Sequence, residues 1–104
     1  MPTNNFVVVA HFRAKPGNEE DLERLLLGLV EHTRQETGCQ LYDLHRDELD
    51  PSQFLFYEIW ANRQVWEAHM AAPHLAEFKP LAENLVAEPI RIWQMRQIEP
   101  RAAE

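Results

Sequence analysis

The stretch Gln53–His74, QFLFYEIWANRQVWEAHMAAPH, decides how the rest of this 104-residue chain is read. Gln53 to Trp60 is rich in aromatic and β-branched residues, the composition of a strand. From Arg63 onward, Val65, Trp66, His69 and Met70 recur at helical spacing. Asn62 stands between the two, where a helix N-cap belongs. The strand puts Phe54, Phe56, Glu58 and Trp60 on one side and Leu55, Tyr57 and Ile59 on the other. Neither side is polar, so both faces of its sheet need a cover. A chain with two helical regions has little left for the second face. A second copy of the chain is the simplest cover, and a homodimer is expected.

Working outward, Phe6 to Ala14 reads as a first strand, broken by Lys15-Pro16-Gly17. Asn18 is placed to cap a helix whose first turn holds Glu19, Glu20 and Asp21. Leu22, Leu25, Leu26, Leu29 and Val30 form its apolar stripe, and Glu20 is set to pair with Arg24 at i, i+4. Gly38 is expected to end it in a left-handed cap. Cys39 to Asp47 is a more polar strand, suited to an edge, and Glu48-Leu49-Asp50-Pro51-Ser52 turns it into the third. Past Ala71 the stripe continues through Leu75, Phe78, Leu81, Ala82 and Leu85, with Pro73 starting a helix and Pro80 expected to kink or split it. Pro89 precedes a last strand, Ile90 to Ile98; Pro100 ends it, and the tail from Arg101 to Glu104 is expected to fray. The order β-α-β-β-α-β is that of a ferredoxin-like α+β layer with an antiparallel sheet, one domain with its core between about 6 and 98.

Bulk properties narrow the function. The net charge of −7 argues against a nucleic-acid partner and against anionic membrane surfaces. A polar N-terminus and the lack of a long apolar run make a cytoplasmic location the expectation. The single Cys39 has no partner for an intrachain disulfide, and no CxxC motif occurs.

Glu58 is the sharpest anomaly. Between Phe56 and Trp60 on one face, its carboxylate would be desolvated and hard to ionise unless a cation such as Arg13 met it. It is a candidate general base or the orienter of one. His69, aimed inward with Val65 and Trp66, is a candidate proton acceptor for a phenolic or enolic group. The alternative for it is a core histidine bonded to a backbone carbonyl. His74, at a helix start, and His11, in the first strand, are secondary candidates. Trp60, Tyr57, Trp66 and Phe78 are candidate walls of an aromatic cavity, or simply core. His69 and His74 are five apart, not the i, i+4 pair of one helix face, and adding Glu58 or His11 does not make them converge, so no metal site is expected. No phosphate loop, GxGxxG or Gly-Ser-Gly elbow is present, and no cofactor is expected.

At these residues the sequence resembles the antibiotic biosynthesis monooxygenase domain family, including its small quinol monooxygenase-like members. The matching features are the opening strand with Lys15-Pro16-Gly17, the Gly38-Cys39 helix exit, Phe56-Tyr57-Glu58-Ile59-Trp60, and His69 followed by Pro73-His74. The resemblance implies a dimeric α/β barrel of two ferredoxin-like protomers packed sheet to sheet. It also implies a cofactor-free oxygenation: the pocket takes a proton from a quinol- or anthrone-type ring, and the substrate carbanion itself reduces O₂. On that reading His69 is the base, Glu58 its orienter or a polar anchor, and the partners are a small aromatic molecule and O₂. Heme-degrading relatives carry a Trp where His69 stands and a His near Lys79, so heme breakdown is not expected here. Two alternatives remain. One is an isomerase of a hydroxy-carbonyl or sugar-phosphate compound, which would want Arg13 or Arg46 near its pocket. The other is a non-catalytic ligand-binding barrel, in which an Arg would neutralise Glu58.

Overall fold

A computed structural model of the chain describes residues 5–99. Pro100 and the tail beyond it, expected to close the last strand and fray, lie outside these. The elements run β1 (Phe6–Arg13), α1 (Glu19–Arg34), β2 (Cys39–Arg46), β3 (Gln53–Trp60), α2 (Arg63–Met70), α3 (Pro73–Leu85) and β4 (Arg91–Arg96). The strands form one antiparallel sheet in the order β2-β3-β1-β4, the α+β ferredoxin-like arrangement. Within one chain the sheet is open, with β2 and β4 as its edges, and is not closed into a barrel.

The helices cover one face. Phe6, Val8, Ala10 and Phe12 of β1 meet Trp60, Glu58, Phe56 and Phe54 of β3 in register and point to that side. Leu22, Leu26 and Leu29 of α1 are buried there, with Leu25 and Val30 packed beside them. Burial of this stripe against the sheet, rather than intrinsic propensity, is what holds a helix of this length. On the other face stand Val7, Val9, Tyr57, Trp93 and Met95, with no helix over them among the described residues.

Several local expectations are corrected. α1 stops at Arg34, and Gly38, although left-handed at φ 85°, turns the chain into β2 instead of capping the helix. A Cβ at Gly38 would lie 2.6 Å from Val65 Cγ2, so only glycine lets the start of α2 sit so close to this turn. Asn18 makes no side-chain cap bond, whereas Asn62 Oδ1 accepts from Val65 N at 2.9 Å. Arg24 pairs with Asp21, and Glu20 reaches Arg46. The break in the second helical region falls at Ala71-Ala72, before Pro73, and α3 runs through Pro80 unbroken. Pro80 removes one donor from the ladder, but Ala76, whose carbonyl loses its partner, is exposed, so water can take the bond. Leu81, expected in the apolar stripe, faces solvent. β4 is shorter than expected because Ile90 and Ile98 fall outside its ladder with β1. Arg13 does not meet Glu58; it pairs with Asp50 at 2.8 Å and Glu88 at 3.4 Å.

Candidate functional site

Alternation along β3 puts Glu58 in the middle of the helix-covered face, opposite Val8 of β1 and Tyr42 of β2. It is 4% exposed. Its one hydrogen bond among the described residues comes from Trp60 Nε1, which donates to Oε1 at 2.8 Å. No Arg or Lys pairs with it among the described residues. Burial therefore dominates, and the carboxyl pKa is pushed up to about 7, with the Trp60 bond opposing and the Glu36 charge adding to the rise.

His69 arrives on α2. The helix buries Trp66 and His69, one turn apart, against the sheet. The His69 ring is 2% exposed and packs 4.7 Å from Trp60 and 5.7 Å from Tyr42, centroid to centroid. Its Nδ1 lies 2.8 Å from Glu36 Oε2. Burial lowers the imidazole pKa against the opposing pull of Glu36, so the ring is held towards its neutral form. With Nδ1–H donating to Glu36, the lone pair sits on Nε2, the tautomer a base needs. Burial also raises the Tyr42 phenol well above its usual range, with the Glu58 charge helping, so it stays a donor.

Glu58, His69 and Tyr42 line a cavity of about 350 Å³, roofed by α2 and α3, whose other walls include Phe56, Trp66 and Phe78. Its size falls in the range of small-ligand sites. The exposed Met70, Lys79 and Ile92 mark its rim.

Of the residues singled out from sequence, the fold brings Glu58, His69, Trp66 and Phe78 to this cavity. Trp60 is buried behind it and acts on it through Glu58. Tyr57 and His11 are not brought there. β-alternation sends both to the opposite face, where His11 Nε2 bonds Gln53 Oε1 at 2.9 Å. His74 lies beside Glu36 rather than on the cavity wall, its Nε2 3.2 Å from Oε2, with His32 stacked on its ring at 4.0 Å. The sequence reading missed Glu36, one carboxylate among 17 acidic residues with no pattern to mark it. It also passed over Tyr42, which the hairpin register places opposite Glu58, and gave Lys79 no place at the site.

Residues 5–81 match the family described as antibiotic biosynthesis monooxygenase. The protein sll1783 of Synechocystis, uncharacterized, is 34% identical over 89% of this chain, which spans 65% of that protein's length. The crystal structure of PA3566 from Pseudomonas aeruginosa is 32% identical, covers 95% of this chain and 99% of its own, and superposes with a TM-score of 0.87. A crystal structure described as an antibiotic biosynthesis monooxygenase is also 32% identical, with coverage of 90% and 99% and a TM-score of 0.85.

Proposed function

Because the chain belongs to the antibiotic biosynthesis monooxygenase family, we propose that it is a cofactor-independent monooxygenase acting on a quinol-type aromatic ring. The observation that carries the reading is the Glu36–His69 pair beside an uncompensated Glu58 on the wall of an aromatic cavity. His69 Nε2 takes a hydroxyl proton from the ring, and Glu36 stabilises the imidazolium that forms. The resulting phenolate delivers electrons to O₂. One oxygen atom bonds to a ring carbon and the other leaves as water. A quinol and O₂ thus give a hydroxyquinone and water, with all four electrons coming from the substrate. Glu58, titrating near neutrality, donates a hydrogen bond when protonated and accepts a proton when not. Trp66, Phe78 and Phe56 present flat apolar surface to the ring.

We place the second copy on the bare sheet face, where Tyr57, Trp93 and Met95 are exposed. Among the described residues no helix is long and apolar enough to cross a membrane.

The isomerase reading has one observation in its favour, Lys79 at the rim, where a phosphate would find a cation. Arg13 and Arg46 do not serve it, being paired with Asp50 and Glu88, and with Glu20 and Glu23. The ligand-binding reading required an Arg on Glu58, and none pairs with it among the described residues.

Aerobic turnover of a quinol panel by chelator-treated protein tests the proposal. Oxygen uptake is expected, with kcat lowered by roughly 10²–10⁴ in His69→Ala, the usual worth of a general base. Turnover without oxygen uptake points to the isomerase. No turnover, or equal rates in wild type and variant, overturns the assignment.

A further inference from the structure

The sequence sets His69 and His74 five apart and gives them no common helix face. The structure supplies what spacing withheld. The chain breaks at Ala71-Ala72, and α3 starts on a new axis that turns His74 back towards His69, ring centroids 5.9 Å apart. Glu36, just beyond the end of α1, completes the group. One ligand atom from each of Glu36, His69 and His74 lies within 4.8 Å of the others.

We infer that Glu36, His69 and His74 form a seat for one divalent transition-metal ion of the zinc class. Ligands about 2.0–2.2 Å from one ion sit roughly 3–4 Å from each other. The pairs through Glu36 Oε2 fall near that spacing, at 2.8 Å to His69 Nδ1 and 3.2 Å to His74 Nε2. His74 Nε2 is the second observation. It is buried and has no hydrogen-bond partner among the described residues, although the carboxylate is close. A buried ring nitrogen without a partner is unfavourable, and an ion held between it and Oε2 would satisfy it. The His32 ring stacks on His74 at 4.0 Å and limits its orientation. Two imidazoles and one carboxylate suit zinc and its neighbours, not magnesium or calcium, which want oxygen. The N-terminus of α3 beside His74 disfavours a cation, but a terminal dipole is a small effect against three inner ligands.

An ion on His69 Nδ1 would leave the ring proton on Nε2 and take Glu36 from the imidazole, so a filled seat and the base role proposed above exclude each other; the seat's test uses no substrate. Chelator-treated protein is titrated with zinc by calorimetry, and imidazole ¹⁵N spectra are recorded with and without the ion. One ion per chain is expected, moving the Nδ1 resonance of His69 and the Nε2 resonance of His74 while those of His11 and His45 stay in place. His74→Ala and Glu36→Gln should each weaken binding by about 100-fold or more, beyond the loss of an outer partner. Cys39→Ser should leave it unchanged. Thermal unfolding of each variant without zinc separates a lost ligand from a lost fold. Undetectable binding to wild type, binding that survives His74→Ala, or loss of binding in Cys39→Ser would overturn the seat.

Discussion

On the helix-covered face of the sheet, Phe54, Phe56 and Trp60 are each 1% exposed or less; on the other, Tyr57 and Trp93 stand at 39% and Met95 at 41%. Both faces are comparably apolar in sequence. They differ in where their polar groups sit. The covered face keeps Glu58 and His69 inside, Glu58 without a counter-charge among the described residues, in a protein that could fill the same space with carbon at lower cost. The bare face carries His11, Arg13 and His45 towards the strand ends and Asp43 on the edge strand β2, opposite Tyr57, leaving Val7, Val9, Trp93 and Met95 as an apolar patch across β1 and β4. Buried polarity without compensation marks a place for chemistry. Uncovered apolarity without chemistry marks a place for contact.

The sharpest way to break this contrast is Glu58→Gln. The folded carboxyl titrates near 7, against 4.5 as its ordinary value. The folded state therefore binds the extra proton between those values, and stability falls as pH rises from about 4.5 to about 7. The amide carries no charge and can still accept from Trp60. At pH 8 the variant should be more stable than wild type by up to about 3 kcal/mol, shrinking to near zero below pH 4.5. Denaturant melts at the two pH values measure this, and a gain that does not vary with pH would mean the carboxylate is not desolvated.

Trp93→Glu tests the bare face. A charge in the centre of a packed interface should cost about 2 kcal/mol of association, raising the dimer dissociation constant roughly 30-fold. Sedimentation over a concentration series reads it. Wild type that stays a single subunit at high concentration would leave the face without its proposed cover. The smallest effect belongs to the cap of the helix that carries His69. Asn62→Ala should lower stability by about 1 kcal/mol in urea melts, and a neutral result would show that packing of Trp66 alone sets the start of α2.

Period and punctuation made the element order legible before any coordinates. Leu22 to Val30 and the alternation of β1 and β3 have one reading each, and the edge position of β2 followed from its polarity. Pro80 misled because a proline's effect depends on whether water can reach the freed carbonyl, which a sequence does not show. At the site, Glu58 and His69 stood out because local context made each a misfit. Glu36 did not, since an acidic residue after a helix is ordinary until the fold lays it against an imidazole 33 positions away. Tyr57 went astray in the opposite way. It belongs to the motif, but a one-residue step along a strand is a change of face.

Gly38 has a bearing on this carboxylate that its role as a turn conceals. It lies two positions after Glu36 and against Val65, four positions before His69. Any larger residue would act as a wedge between loop and helix, lengthening the reach from acceptor to imidazole. The missing side chain is in effect a shim of zero thickness, setting the tolerance of the pair it never touches.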